Sequence, residues 1–136
     1  MAEALLRSRL PDSTSWQVAS AGTCAFGGEE ASAGAVEALS EESVDLNGHR
    51  SQPLTAELIR QARVIVAMTR SHRDEILARF PEAAQRVFLL RSFDPGAESK
   101  DVPDPIGSTL GVYRCCRDSI AAAIPGLVEF LVELGA

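Results

Sequence analysis

Two carboxylates and three thiols mark where this chain could do chemistry. Asp101 and Asp104 stand three residues apart in DVPDPIGSTLGVYRCCRDSI, residues 101–120, where two prolines precede a helix-forming run. A carboxyl group in such a loop could act as a general acid, while an Asp-Pro pair alone commonly initiates a turn. Cys115 and Cys116 are adjacent, and adjacent helical residues point about 100° apart, so the two thiols face different surroundings. Cys116 falls on an apolar stripe and reads as a small core residue. Cys24 lies in a loop, with nothing nearby in sequence to lower its pKa. No metal-ligand spacing is present, and no cofactor is implied.

The elements that must position these groups can be read from periodicity. Met1 to Leu10 carries Met1, Leu5 and Ala2, Leu6 at helical spacing, without a Ser, Thr, Asp or Asn before it to cap the free N–H groups. Trp16 to Ala19 is a short strand candidate, followed by a turn at residues 20–23. Gly27-Gly28 leads into a helix with Ala31, Ala35, Val36 and Leu39 on one face. Asn47-Gly48 and Gln52-Pro53 bracket a loop. Thr55 caps a helix whose Leu58, Ile59 and Ala62 face inward. Val64 to Met68 and Val87 to Leu90 are continuous apolar runs, the pattern of parallel strands covered on both faces. Between them, Ser71 to Asp74 has capping-box spacing ahead of Ile76, Leu77 and Phe80, and Pro81 stops or restarts that helix.

The last helical stretch is long. Leu110, Tyr113, Cys116, Ile120, Ile124, Leu127, Leu131 and Leu134 form one core-facing stripe. Pro125 lies inside it and predicts a kink or break. Strands alternating with helices predict an α/β fold with a parallel sheet and right-handed crossovers.

Five segments, in order, resemble the low-molecular-weight protein phosphatases. They are MAEALLRSRLP at 1–11, VASAGT at 18–23, HRSQPLT at 49–55, VIVAMTRSHRDEIL at 64–77 and the Asp-Pro segment at 101–120. The resemblance covers essentially the whole chain. It implies a single phosphatase-like domain over 1–136, with a four-stranded sheet in the order 2-1-3-4. It also implies hydrolysis of a phosphorylated protein side chain through a cysteinyl-phosphate intermediate. Asp104 is then the general acid. Asp101 ranks second, because it precedes Val102-Pro103 rather than the matching Pro105. Ser20 and His49 match positions that hydrogen-bond the asparagine of the phosphate loop and steady its strained backbone. Without the motif match, Ser20 reads equally well as a turn residue and His49 as an exposed loop histidine.

The family's nucleophile sits in a Cys-x5-Arg loop, and none occurs here: the residues six positions after the three cysteines are Glu30, Ala121 and Ala122. In the family that loop runs straight into the Met-Ala-Glu-Ala with which this sequence opens. The expectation is a member N-terminally truncated by its first, interior strand and phosphate loop, and inactive as it stands. Val64 to Met68 would then lack a neighbour. Either the sheet closes around the gap or another chain, such as a second copy in a homo-oligomer, fills it. Ile106 stands where many relatives carry an aromatic that stacks on the substrate, which weakens the case for phosphotyrosine and leaves phosphoarginine open. The family often has Asp where Thr69 stands, so no further acid is inferred there. His72 and the arginines at 60, 63, 70, 73 and 79 read as solvated.

Composition sets outer bounds. With 136 residues, 46% hydrophobic, the chain fits one domain of ordinary size. No apolar run approaches 18 residues and the N-terminus is not a signal peptide, so no membrane association is expected. Three cysteines without framework spacing fit a reduced, cytoplasmic protein. A net charge of −6 argues against nucleic acid as a partner. A phosphorylated protein substrate remains compatible with it. Two classes of reading stand: a phosphatase, or a binding or regulatory protein that keeps the fold without the reaction. An arsenate reductase-like relative is a further alternative. Retention of Asp104 favours the enzyme, since a non-catalytic descendant has no chemical need for an acid.

Overall fold

A computed structural model describes residues 1–23 and 27–135. Five α-helices flank a parallel sheet: α1 (Ala2–Arg9), α2 (Ala33–Ser40), α3 (Ala56–Gln61), α4 (Arg70–Arg79) and α5 (Leu110–Gly135). The sheet comprises β1 (Ile65–Ala67) and β2 (Val87–Leu89), with Ile65 opposite Val87, Val66 opposite Phe88 and Ala67 opposite Leu89. Short 3-10 turns at Pro81–Arg86 and Leu90–Phe93 lie on either side of β2.

The strand pattern explains the layering. Alternate residues of a strand point to opposite faces. Ile65, Ala67, Val87 and Leu89 therefore join Ile59 of α3 and Ile76 of α4 in one apolar cluster. Val64, Val66, Met68 and Leu90 join α1, α2 and α5 in the other. Phe88, Phe93 and Phe130 stack at tilted and edge-on angles, with centroids 5.2–6.0 Å apart, and tie β2 to α5.

α5 dominates the larger cluster. Tyr113, Cys116, Ile120, Ile124, Leu127 and Leu131 are all buried along the expected stripe. Of the kink or break expected at Pro125, the break does not occur, and α5 runs through as one element. Pro125 is exposed, so the helical bond it cannot donate is lost on the solvent side. The C-terminal end of α5 is held from outside. The Trp16 indole N–H donates to the Leu131 carbonyl at 2.8 Å, and Arg63 donates to the Leu134 carbonyl at 3.0 Å while lying over the Trp16 ring. The Leu134 carbonyl is one that a helix end leaves without an internal partner.

Two further expectations are corrected. Trp16 to Ala19 forms no strand, because among the described residues no neighbour offers it a ladder; the nearest pairing is a single bridge from Gly22 to Pro53. α4 is capped not by Ser71 but by Thr69, whose hydroxyl accepts from the His72 N–H at 3.0 Å. The arginines at 60, 63, 70 and 79 are exposed as expected, and Arg63, between α3 and β1, and Arg70 also bridge to distant parts of the chain. Thr55 caps α3 as its position predicts, accepting from the Leu58 N–H at 3.2 Å.

Two polar anchors and two close approaches fix α5. Arg117 is buried, donating to the Ala38 carbonyl at 2.9 Å and to Glu41 at 2.6 Å, while Arg114 grips the same carboxylate at 2.6 Å. The Arg114 and Arg117 hydrogen bonds hold Glu41 at a pKa of about 2 against an ordinary 4.5. The clasp therefore contributes fully above about pH 4.5 and is lost as the pH falls towards 2. We predict that the difference in thermal stability between wild type and Glu41→Gln is full at neutral pH and closes across that window. A gap that stays constant down to pH 2 would contradict the linkage. At Gly126 an added Cβ would lie 2.2 Å from the Phe93 carbonyl oxygen, and at Gly34 one would lie 2.5 Å from the Tyr113 ring. Gly126→Ala should cost about 1–3 kcal/mol in denaturant unfolding despite alanine's better helix propensity.

Candidate active site

In open parallel sheets, sites form beyond the carboxyl ends of the strands, and the Asp101–Pro105 loop lies there. The Val102 N–H donates to the carbonyl of Met68, the residue following β1, at 2.8 Å. The Val102 side chain is buried in the core. The loop is thus laid against the end of the sheet before it turns into α5.

Its two carboxylates meet different surroundings. Asp101 accepts from the Arg70 backbone N–H at 2.8 Å and from the Arg70 guanidinium at 3.4 Å. It therefore sits on the first turn of α4, where a helix presents free N–H groups and favours negative charge. The Arg70 backbone hydrogen bond, then its side chain, hold the Asp101 carboxyl below the usual range. Asp104 is exposed. Its one hydrogen bond among the described residues comes from the Ile106 N–H, at 3.0 Å to Oδ1, the local bond of an Asx turn. The chain then passes Ile106, 73% exposed, and Gly107, whose φ of +76° suits a residue without a Cβ.

Ser20 and His49 are brought together by a residue that the sequence reading did not single out. The Ser20 hydroxyl donates to Glu3 Oε1 at 2.6 Å, and His49 Nδ1 lies 4.0 Å from the same oxygen. Arg7 donates to Glu3 Oε2 at 2.7 Å and to the Val18 carbonyl at 2.6 Å. Glu3, with a side chain 15% exposed, is the hub. Its signal in the sequence was faint: an acidic residue in the first turn of a helix, the ordinary complement to the helix dipole. Nearby, burial pushes the Met1 amino group down, partly opposed by Glu3. The His49 loop is sewn to the rest through Gly22 N–H to the Gln52 carbonyl at 2.9 Å and Gly28 N–H to the Ser51 carbonyl at 2.7 Å. The Gln52 side chain adds a bond to the Ser20 carbonyl at 2.8 Å.

Cys115 is exposed and Cys116 buried. Burial, then Cys115 and Asp104, push the Cys116 thiol up, and its Sγ–H donates to the Pro103 carbonyl at 3.3 Å. Cys24 lies outside the described residues. His72 is half-buried on α4.

Comparison with known proteins agrees with this layout. The family model for low molecular weight phosphotyrosine protein phosphatase matches residues 1–134. A protein-arginine-phosphatase of Geobacillus stearothermophilus is 41% identical over 132 residues, spanning 96% of this chain and 86% of its own. A probable low molecular weight protein-tyrosine-phosphatase, EpsP, of Ralstonia nicotianae is 33% identical over 135 residues, 99% of this chain and 88% of its own. Among solved structures, the YwlE arginine phosphatase of Geobacillus stearothermophilus superposes with a TM-score of 0.86 at 40% identity, covering 98% of this chain and 84% of that one. The chain belongs to the low-molecular-weight phosphotyrosine protein phosphatase family, and its class is that of phosphoprotein phosphatases.

Glu3→Ala would strip Ser20 and Arg7 of a shared, largely buried acceptor. We predict a loss of about 1–3 kcal/mol in unfolding free energy, measured by urea titration. Unchanged stability would mean that water replaces the carboxylate without cost.

Proposed function

We propose that Asp104 is the general acid of a phosphatase site that acts on a phosphorylated protein side chain, with Ser20 and His49 supporting its phosphate loop. The observation that carries this reading is the contrast between the two carboxylates. Asp101 is committed to the first turn of α4, whereas Asp104 stands exposed at the end of a tethered segment. An acid must reach the leaving atom, and the exposure of Asp104 supports that role for it over Asp101.

The chemistry is a displacement at phosphorus. A thiolate attacks, the bond from phosphorus to the side-chain oxygen or nitrogen breaks, and Asp104 gives its proton to the departing atom. The carboxylate so formed then takes a proton from the water that attacks the cysteinyl phosphate. The Ser20–Glu3–His49 group would hold the loop that carries the thiolate, keeping its donors aimed at the phosphoryl oxygens. The relatives named above act on arginine or tyrosine side chains by name. Exposed Ile106 gives the leaving group an aliphatic rather than an aromatic neighbour.

The site's surroundings fit the same reading. No helix among the described residues is long and apolar enough to cross a membrane. The free thiols of Cys115 and Cys116 suit a reducing, cytoplasmic setting. Among the described residues β1 pairs with β2 on one side only, and an unpaired edge is a template for another strand. A second copy of the chain is the partner we assign to that edge, and concentration-dependent sedimentation tests it. A monomer at every concentration would remove this assignment.

Two measurements test the function. With none of the three cysteines followed by Arg at the sixth position, these 136 residues alone should give no turnover above background on aryl phosphates or phosphoamino acids. Activity that survives replacement of all three cysteines by serine would mean a different chemistry. In a version joined to an upstream Cys-x5-Arg loop, Asp104→Asn should lower turnover of substrates with poor leaving groups by about 10²–10⁴-fold. The loss should shrink for activated aryl phosphates. Equal rates on a poor leaving group would sink the assignment of Asp104.

A further inference from the structure

Asp104 follows three residues that each have a backbone group tied to a different part of the fold. The Asp101 carbonyl accepts from Arg91 Nη1 at 3.1 Å. The Val102 N–H donates to the Met68 carbonyl at 2.8 Å. The Pro103 carbonyl accepts from the Cys116 thiol at 3.3 Å. These partners come from the turn after β2, the end of β1 and the first half of α5. Beyond them Asp104 and Ile106 are exposed, held by the local bonds of Ile106 N–H to Asp104 Oδ1 and Ser108 N–H to the Pro105 carbonyl.

We propose that Arg91 and Cys116 are positioning residues for Asp104, fixing the two carbonyls on either side of Val102 and so the direction in which the next side chain leaves the backbone. The inference rests on the reading of Asp104 as the acid. It explains two features that packing leaves unaccounted for. Arg91 buries its Nε without a hydrogen-bond partner, a cost an aliphatic side chain would avoid. Its Nη1 bond to the Asp101 carbonyl is what a guanidinium adds there. Cys116 occupies a core position where an alkyl group of similar size would pack as well, yet its thiol points at a carbonyl. Burial pushes that thiol's pKa up, in the direction that favours the donating form.

Core filling and donation predict opposite orders of substitution. If Cys116 only fills space, Ala is tolerated and Ser, which buries a hydroxyl, is worse. If it donates, Ser restores what Ala removes. Amide hydrogen exchange on the 136-residue protein separates the two. The expected result for Cys116→Ala is exchange about five- to tenfold faster at the Val102 and Ile106 amides, the equivalent of one hydrogen bond, with the β2 amides unchanged. Cys116→Ser should return both to within about twofold of wild type, and Arg91→Met should reproduce the alanine pattern. Unaltered exchange at Val102 and Ile106, an acceleration shared equally by β2, or failure of Ser to rescue would overturn the proposal.

Kinetics supply the second readout, in the version joined to a Cys-x5-Arg loop. Cys116→Ala should depress turnover of poor leaving groups more than of activated aryl phosphates, as Asp104→Asn does but less severely. If Asp104→Asn shows that selectivity and Cys116→Ala lowers all substrates alike, the positioning role fails while the acid stands. If Asp104→Asn has no effect, the acid reading itself fails, whatever the exchange rates show.

Discussion

The docking of α5 is the constraint from which the rest of the structure follows. One apolar stripe along 26 residues must be buried, and no single element is large enough to bury it. α1 and α2, the turn after β2 and the inner face of the sheet each cover part of it. Burial of this kind is non-directional, so it brings elements together without fixing their register. The register comes from contacts that allow no sliding: the Phe93 carbonyl seated on Gly126, the Tyr113 ring against Gly34, and Arg117 threaded to the Ala38 carbonyl. Each sits at a different height along the helix. Together they place the first half of α5, and with it Cys116, against the end of the sheet.

That placement explains why the Asp-Pro loop needs so little structure of its own. It has no regular elements between Phe93 and Leu110, yet its middle is held through backbone groups by β1, the turn after β2 and α5. A loop tied in this way keeps sequence freedom at its tip, where Ile106 and Gly107 are exposed, and loses it at its base. The same arrangement separates two chemically identical side chains. Asp101 faces a helix N-terminus and a guanidinium, which stabilise its charged form. Asp104 faces solvent and its own turn.

Much of this was legible in the sequence because it depends on local pattern. The stripe of α5, the apolar runs of β1 and β2 and the cap at Thr55 each follow from spacing or from one residue's hydrogen-bonding habit. The misreadings share a different cause. Trp16 to Ala19 has strand-like composition, but a strand is a relation to a neighbour and not a property of four residues. Pro125 was expected to kink or break α5, and no break occurs, because its effect depends on which side of the helix meets water, and that is decided by tertiary packing. Thr69 displaced Ser71 as the cap because the end of β1 fixes where α4 can begin. Of the site, the Asp-Pro pair, Ser20 and His49 were visible through the resemblance of five segments to one family. Glu3 was not, because an acidic residue in a helix's first turn is ordinary until the fold sets a serine and a histidine beside it.

Glu3 also shows how one carboxylate can tie several segments together. Its two oxygens serve separate partners. Oε2 takes Arg7, which also reaches the Val18 carbonyl, and so staples α1 to the segment that follows it. Oε1 takes the Ser20 hydroxyl and stands nearest His49. A carboxylate can do both because it accepts on several lone pairs at once, whereas a glutamine in its place would offer one accepting oxygen. The charge matters for a further reason. A site that binds a phosphoryl group gathers positive charge and aligned N–H donors, and a nearby carboxylate works against that unless its own charge is already engaged. Here Arg7 engages it at 2.7 Å. The ion pair therefore does more than join two elements: it engages the charge of the same carboxylate that holds the Ser20 hydroxyl.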